Sequence, residues 1–376
     1  VSFDWEVHRK NLLGSSAKFY LDSGRPYKAG SLFKAPMQAE VLRQIAAHGS
    51  KGFYQSDITT DLVSSLKEFG GVHSLADFEN VKVQYVDPTY AELKDGSTLI
   101  ELPPNGQGLT AIMMKKLMQF CNIDRFSAGS FERVHLEAEI AKVAYAARNN
   151  FIGDPNFSEV KQNIFLDDAY LEQLSREVSV GKLLNDNLED DFFSRNKDTV
   201  LICAADSAGN AISLIFSTFH AFGSGLFSKK YGLLFHNRGA GFVLKKDHPN
   251  ELMGGKRPLH TIIPAILQEK NGSIMPFGVM GGQYQANGHA RILSNIKDYG
   301  MGFQEALNFP RSFYFDGVLN IEKGYKKDIT EKLSKVGYTV QEASIPIGGA
   351  QLVRVDSSGV LIGASDPRKD GCALGY

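Results

Sequence analysis

The stretch TVLICAADSAGNAISLIFSTF, residues 199–219, decides the fold class of this chain. It holds two runs of β-branched and other apolar residues, joined by the turn residues Ser-Ala-Gly-Asn. Two such runs around a short turn predict a β-hairpin, and the apolar run that begins at Thr199 predicts a buried strand. The preceding segment, 184–198, is polar, acidic and without period, which predicts an exposed, poorly ordered segment.

The chain before this hairpin is mostly helical in its hydrophobic spacing. Apolar residues at helical intervals predict helices over 37–48, from Ser56 to Gly70, over about 108–120 and over about 131–148. Two short strand-like runs flank Asp95-Gly96, which predicts a second hairpin.

The chain after residue 199 is richer in strands. Residues 350–366, AQLVRVDSSGVLIGASD, repeat the pattern of two runs around a turn, and one helical segment is expected at about 290–308. Helices followed by strands predict an α+β fold, with layered sheets and helices outside in the αββα manner.

Composition excludes some classes of function. The net charge is −1, so no basic excess favours nucleic acid or an anionic membrane as a partner. The longest apolar runs are shorter than a membrane span. Cys121, Cys203 and Cys372 are widely separated, which predicts buried reduced thiols and favours a reducing, cytoplasmic compartment.

No cofactor is expected from the sequence. The spacing of His220, His236, His248 and His289 does not match a metal site, and these histidines are expected to be solvated or in the core. Residues 223–225, Gly-Ser-Gly, lack the Lys-Ser/Thr or Rossmann spacing of a phosphate loop.

Thr199 stands where a cut would create unusual chemistry. Cleavage of the Asp198-Thr199 bond would leave Thr199 with a free α-amino group, whose pKa of about 8 makes it a usable base at neutral pH. An adjacent amine is a recognised means of activating a threonine hydroxyl. From the residues alone, a structural threonine at the start of a strand is the commoner case.

Ten ordered blocks carry a family resemblance over nearly the whole chain. They are GRPYKAGSLFKAP (24–36), GFYQSDITTDLV (52–63), LPPNGQG (102–108), NFIGDPNF (150–157), TVLICAADSAGNAIS (199–213), AFGSG (221–225), GGKRPLHTIIPAI (254–266), GVMGGQYQ (278–285), ALNFPRS (306–312) and GASDPRKDGCALGY (363–376). With these blocks the chain resembles the γ-glutamyltransferase family of N-terminal nucleophile hydrolases.

The resemblance implies an autoprocessing enzyme. The precursor would cut itself between Asp198 and Thr199, leaving Thr199 as the nucleophile of amide hydrolysis or acyl transfer. Residues 1–198 would form part of a mostly helical large subunit, and residues 199–376 a strand-rich small subunit. The two would build one interleaved domain and be each other's partners, and a dimer of these molecules is also allowed.

Further site residues follow from the resemblance. Ser217 holds the place of a hydroxyl that supports the nucleophile, although an exposed strand serine is the alternative. Gly281-Gly282 matches the pair whose N–H groups form an oxyanion hole, a role for which glycine allows close approach, while a plain tight turn remains open. His260 and Thr261 match paired serines near the substrate carboxylate, and a core histidine is an equal alternative.

Three departures alter the expected substrate. Family positions that hold a substrate ammonium read Phe219, Arg238 and Gly241 here, so an anion is lost and a cation gained. A pocket with Arg238 should attract a carboxylate. HNRGAGF (236–242) and the adjoining blocks are similar to oxamate amidohydrolases and cephalosporin-acylase-like members, whose substrates are amides that present a carboxylate.

Two other functions stay open. One is a glutathione-type γ-glutamyl hydrolase or transferase. The other is a non-catalytic binding or structural relative, which Val200 favours slightly because many relatives have a second threonine there. The resemblance also leads us to expect a further large-subunit region before Val1, with an arginine for the substrate carboxylate and strands and helices that cover the sheet.

Overall fold

The computed structural model describes residues 2–185 and 198–376, without the side chains of Ser15 and Asp198. The described residues fall into two compact units. The smaller unit comprises residues 2–85, 198 and 217–238, and the larger comprises residues 86–185, 199–216 and 239–376. Each unit therefore draws on the chain both before and after Thr199. Most of the predicted segment 184–198 lies outside the described residues.

Helices make up most of the regular structure of the smaller unit. They are α1 (Ser2–His8), α2 (Ala17–Tyr20), α3 (Pro36–His48), α4 (Lys51–Tyr54), α5 (Asp57–Glu68) and α6 (Leu75–Glu79). Ser56 caps α5 as predicted, because its Oγ accepts a hydrogen bond from the N–H of Ile58 at 3.2 Å. The apolar side chains of α3 are only partly buried, since Val41 is 4% exposed and Leu42 is 67% exposed.

A six-stranded sheet organises the larger unit. Its order is β1-β2-β5-β6-β10-β11, and every neighbouring pair is antiparallel. The strands are β1 (Thr89–Glu92), β2 (Thr98–Glu101), β5 (Ala265–Gln268), β6 (Ile274–Met280), β10 (Gly349–Val355) and β11 (Leu361–Ser365). Both predicted hairpins, around Asp95-Gly96 and within residues 350–366, are confirmed as β1–β2 and β10–β11.

Long helices cover one face of this sheet. They are α7 (Gly108–Phe120), α8 (Phe131–Phe151) and α11 (Tyr284–Lys297), with the shorter α9 (Asn163–Leu166) and α10 (Asp168–Ser175) beside them. Phe277 and Val279 of β6 share one buried core with Leu109 and Ile140 of these helices. The helices predicted at 108–120 and 131–148 are thus confirmed, the second extending to Phe151.

A two-stranded ribbon packs on the opposite face. It consists of β3 (Asp198–Ala205) and β4 (Ala211–Phe219), the hairpin predicted from the opening stretch. Leu201 and Ile215 form a cluster with Met280. Because side chains alternate along a strand, Met280 points away from the helix-facing Phe277 and Val279.

The other face of the ribbon is solvent-exposed in the described part of the chain. Between 43% and 52% of each side chain is exposed at Val200, Ile202, Ile212, Leu214 and Phe216. The prediction of a buried strand beginning at Thr199 is therefore correct for one face and wrong for the other, because the ribbon is covered on one side only.

The remaining strands form a third sheet, and two further α-helices also belong to the larger unit. They are β7 (Ser312–Phe315), β8 (Val318–Ile321), β9 (Thr339–Glu342), α12 (Phe303–Asn308) and α13 (Lys327–Val336). The bounds predicted for the helix at 290–308 were wrong. Helix α11 starts at Tyr284 and ends at Lys297, and α12 begins at Phe303 after a non-helical segment that contains Gly300 and Gly302. Helix α13 was not predicted.

The cysteines follow the sequence expectation in part. Cys121 and Cys203 are partly buried thiols, and burial raises the pKa of Cys203 to about 12. Cys372 is exposed, so the expectation of burial is wrong there.

Candidate active site

Thr199 is the second residue of strand β3 and lies on the side of the strand that faces the sheet. Its side chain is partly buried. Residues two apart on a strand share a face, so Thr199 points in the direction of Leu201, about 7 Å along the strand. Leu201 packs with Met280 and with Ile262. A Cβ added at Gly278 would lie 3.0 Å from Leu201 Cδ1, so β3 and β6 are in close contact. The strand that carries Thr199 is therefore fixed against the end of β6.

Gly281 and Gly282 form the turn between β6 and α11. Their φ angles are +130° and +57°, values that favour glycine. A Cβ on Gly281 would lie 3.0 Å from Gly348 Cα, so any larger residue would crowd the backbone of Gly348. The carbonyls of Gly281 and Gly282 accept hydrogen bonds from the N–H groups of Tyr284 and Gln285, both at 3.2 Å.

This turn has the electrostatics of an anion site. It lies at the N-terminus of a 14-residue helix, where the partial positive charge of the helix favours a developing oxyanion. The turn itself is tight, as the alternative reading proposed, and its oxyanion role stays a prediction.

The segment 102–108 joins the predicted substrate residues to the glycine turn. Asn105 Nδ2 donates to the carbonyl of Pro258 at 2.6 Å, and the carbonyl of Asn105 accepts from the N–H of His260 at 2.8 Å. Gln107 Nε2 donates to the carbonyls of Thr261 at 2.8 Å and Gly282 at 3.1 Å. The structure thus brings His260, Thr261 and the glycine turn together within the larger unit.

His260 and Thr261 differ in exposure. His260 is partly buried, and its Nδ1 accepts from the N–H of Ile262 at 3.4 Å. Thr261 is only 2% exposed. A role in binding substrate stays a prediction for both, and the alternative of a structural histidine remains for His260.

Ser217, Phe219 and Arg238 come together in the smaller unit. Ser217 is partly buried, and its Oγ accepts from the N–H of Phe219 at 2.9 Å. Phe219 has a φ of +77°, which is strained for a bulky residue. The Arg238 guanidinium carbon lies 4.4 Å from the centroid of the Phe219 ring, a cation–π arrangement.

Arg238 is a buried cation. It is 6% exposed, and its burial lowers the pKa of the guanidinium to about 10, so the group stays protonated at neutral pH. The backbone N–H of Arg238 donates to His236 Nδ1 at 3.1 Å. Gly241, the third departing position, belongs to the larger unit, where its carbonyl accepts from Asn250 Nδ2 at 2.6 Å.

Sequence reasoning missed a set of buried side chains that hydrogen-bond with one another beside the glycine turn. Arg148 Nη1 donates to Gln107 Oε1 at 3.0 Å and also contacts Gln283 Oε1. The Tyr145 hydroxyl donates to the carbonyl of Gln283 at 2.5 Å. The only sequence signal was the LPPNGQG block, which names the loop but not its contacts.

Within 2–185 and 198–376, no three His, Cys, Asp or Glu side chains are placed to hold a metal ion together. Among the same residues, no helix has both the length and the apolar character to cross a membrane.

Nearly the whole chain matches one known protein family. Residues 4–376 match the family model described as gamma-glutamyltranspeptidase. The chain belongs to the γ-glutamyltranspeptidase family. The resemblance seen in the ten sequence blocks is thereby confirmed.

Relatives within this γ-glutamyltranspeptidase family share about a quarter of their residues with the chain. It is 28% identical over 370 residues to the glutathione hydrolase-like YwrD proenzyme of Bacillus subtilis, covering 96% of this chain and 69% of the relative. It is 28% identical to the oxamate amidohydrolase proenzyme of Klebsiella pneumoniae, covering 95% of this chain and 68% of the relative.

A solved structure confirms the fold. The cephalosporin acylase of Bacillus halodurans superposes with a TM-score of 0.85 at 26% identity, over 100% of this chain and 70% of that one. The α+β class is confirmed, and this γ-glutamyltranspeptidase-family chain is an enzyme of the N-terminal nucleophile amidohydrolase class.

Proposed function

We propose that the chain cuts itself between Asp198 and Thr199, and that Thr199 then acts as the nucleophile on an amide that bears a carboxylate. The observation that carries this proposal is the packing of β3 on β6, with Leu201 against Met280, the residue before Gly281. It supports a common site for a threonine at a strand start and a glycine turn at a helix N-terminus. Relatives named as proenzymes support the cut.

The chemistry needs only groups of the protein and water. In the precursor, Thr199 Oγ1 attacks the Asp198 carbonyl carbon, and the peptide becomes an ester as the Thr199 amine is freed. Water then hydrolyses this ester, leaving a carboxylate on Asp198. In the mature enzyme, the amine takes the hydroxyl proton, the oxygen attacks the substrate amide, and the leaving amine receives that proton. Water or an acceptor amine releases the acyl group.

Thr199→Ala tests the nucleophile. We expect it to abolish both cleavage and turnover, whereas Thr98→Ala should leave both unchanged. Thr98 is a matched control because it, too, lies at the start of a strand and is partly buried. A denaturing gel and mass spectrometry of the fragments give the cleavage site. Cleavage or turnover by Thr199→Ala would exclude the mechanism.

Arg238 tests the substrate class. A buried cation beside Phe219 favours a carboxylate over an ammonium, because the ammonium would be repelled. Oxamate and a glutaryl amide should therefore be better substrates than γ-glutamyl-p-nitroanilide, and Arg238→Gln should lower kcat/KM for the former by about 100-fold. Preference for the γ-glutamyl compound would favour a glutathione-type activity, in keeping with the name of one relative.

A full-length chain that is never cut and turns over none of these amides would favour the non-catalytic alternative. The fragments 1–198 and 199–376 are the expected subunits, and they would remain associated because each unit of the fold draws on both. Size-exclusion chromatography coupled to light scattering would show whether the cut protein is a monomer or a dimer of such pairs.

A further inference from the structure

Gln107 is completely buried and holds two carbonyls of the candidate site at once. Its Nε2 donates to Thr261 at 2.8 Å and to Gly282 at 3.1 Å, and its exposed fraction is 0%. Both hydrogens of the amide nitrogen are thereby used, each on a different segment of the chain. One side chain thus links a predicted substrate-binding segment to the predicted oxyanion turn.

The contact with Gly282 adds a second hydrogen bond to a carbonyl that already accepts from the N–H of Gln285 at 3.2 Å. The peptide before Gly282 is held by the hydrogen bond from the Tyr284 N–H to the Gly281 carbonyl. Gln107 and the N–H of Gln285 both hold the peptide after Gly282 through its carbonyl. Glycine has no Cβ to restrict its dihedral angles, so these three bonds together limit the direction of the Gly282 N–H.

Arg148 orients the Gln107 amide. The guanidinium is 1% exposed, and its Nη1 donates to Gln107 Oε1 at 3.0 Å. Because guanidinium is only a donor, it requires the Gln107 oxygen on its side and turns the NH₂ group towards the two carbonyls. The Arg148 contact with Gln283 Oε1 holds the residue that follows Gly282 as well.

We propose that Gln107, oriented by Arg148, is a positioning residue that aims the N–H of Gly282 at the reacting carbonyl. This inference rests on the proposed amide chemistry at Thr199. Catalysis by preorganised donors depends on their direction before the reaction begins, and small misplacements are costly. Gln107 does not touch the substrate itself and acts through the backbone of Gly282.

Gln107→Met removes the donor and keeps the size of the side chain. We expect kcat to fall about 10- to 100-fold while KM changes less than about 3-fold, because the lost stabilisation belongs to the transition state. The turnover rate is divided by the amount of protein that has been cut before Thr199. The rate of that cut is a second readout, and its loss in Gln107→Met alone would also support the proposal.

Asn295→Leu is the matched control. Asn295 is 1% exposed, donates to the carbonyl of Ala306 at 3.0 Å and accepts from Arg133 Nη2 at 2.5 Å, the same arrangement of amide, carbonyl and arginine. It lies about 16 Å along α11 from Tyr284, the first residue of the helix. We expect the two variants to lower the melting temperature to a similar extent and only Gln107→Met to lower kcat. An equal fall in kcat in both, or in neither, would overturn the proposal.

Gln107→Glu separates positioning from packing. The glutamate keeps the shape and an oxygen for Arg148, but its ionised form has no donor for the two carbonyls. Relative to the wild type at each pH, its kcat should be low at pH 8 and recover as the pH falls and protonation restores one donor. Wild-type kcat at pH 8 would show that packing alone suffices and would overturn the proposal.

The two proposals fail in different ways. A wild-type chain without amide turnover, or an active Thr199→Ala variant, would refute the proposed function. An active wild type and an inactive Thr199→Ala, combined with an unaffected Gln107→Met, would refute only the role of Gln107.

Discussion

At the scale of single residues, the contact between Asp154 and Arg257 joins two blocks that are distant in the sequence. Asp154 is 1% exposed, and its Oδ2 accepts from the Arg257 N–H at 2.8 Å while its Oδ1 accepts from Arg257 Nη2 at 2.9 Å. Burial acts to raise the pKa of Asp154, but hydrogen bonds from Arg257 outweigh it and the pKa is lowered. The GDP turn at 153–155 and the KRP motif at 256–258 thus meet in one charged pair.

Arg257→Met should lower the free energy of unfolding by about 2 to 3 kcal/mol at pH 7, because a buried carboxylate loses its cation. The partial exposure of Arg257, 41% of its side chain, keeps the expected loss below that of a fully buried pair. Urea unfolding measures it. The double variant Arg257→Met/Asp154→Asn should recover part of the loss, and equal stabilities of the single and double variants would contradict this account.

The pH dependence of this pair has a definite sign. The pKa of Asp154 is lowered from 3.8, so its contribution to stability is present above that value and is lost as the pH falls through the lower, folded-state pKa. The difference between wild type and Arg257→Met should therefore shrink when both are compared at pH 3. A difference that grows in acid would contradict it.

At the scale of elements, strand β4 gives a direct test of the one-sided ribbon. Ile215 is 7% exposed and faces the sheet, while its neighbour Leu214 is 46% exposed on the other face. Ile215→Ala should cost about 2 to 4 kcal/mol, and Leu214→Ala less than about 1 kcal/mol. Denaturant unfolding of the two variants measures this. Similar losses would mean that both faces of the ribbon are covered in the folded protein.

Gly288 lies inside helix α11, where helix propensity would favour alanine, but close packing against β6 favours glycine. A Cβ at Gly288 would lie 2.7 Å from Val279 Cγ1 and 2.9 Å from Tyr284 Cε1. Gly288→Ala gains up to about 1 kcal/mol in helix propensity but costs about 1 to 3 kcal/mol in overpacking, so we expect a net loss of stability.

The same variant should lower turnover, because α11 begins at the glycine turn and would move away from β6. Calorimetry and amide turnover are the measurements. Gly302→Ala is the control, since its Cβ would have open space. Unchanged turnover in Gly288→Ala would show that the turn does not depend on this helix contact.

Local patterns predicted the elements whose apolar spacing is regular. Helix α7 and the hairpin around Asp95-Gly96 were predicted because both carry strong local signals. The start of α11 was missed because its first turns contain Gln285, Asn287 and His289, polar residues whose burial is decided by contacts with distant strands. His289, for example, forms a buried pair with Glu101 at 2.7 Å.

At the scale of the whole molecule, one buried histidine, His135, and two partly buried ones, His220 and His248, set an expected acid sensitivity. Desolvation is the largest cause that lowers the pKa of each of these three histidines from 6.5. Below pH 6.5 the unfolded chain takes up protons that these folded histidines resist, so stability falls as the pH falls.

The urea midpoint should therefore decrease between pH 7.5 and pH 5.5, with a loss on the order of 1 kcal/mol in the free energy of unfolding. His135→Gln should flatten this dependence, because His135 lies in the core between Tyr338 Oη at 2.9 Å and the carbonyl of Ser179 at 3.1 Å. A midpoint that rises in mild acid would contradict this expectation.

The sequence by itself determined the α+β class, the hairpin that starts beside Thr199 and the family resemblance, because these depend on residue types at short spacing. The family resemblance also identified Gly281-Gly282 as an oxyanion pair with a tight turn as the alternative, but the sequence placed the following helix at about 290–308 and missed its start at Tyr284. The sequence did not show which residues hold that turn.

Tertiary structure alone decided the role open to Gln107. Its partners, Arg148, Thr261 and Gly282, lie 41 to 175 positions away in the chain, and an amide side chain carries no local signal of such contacts. The same holds for the ribbon, where only the stacking of β3 and β4 on β6 decided which apolar face is buried. Packing brings together segments that are far apart in the sequence, and the surroundings of Thr199 depend on these long-range contacts.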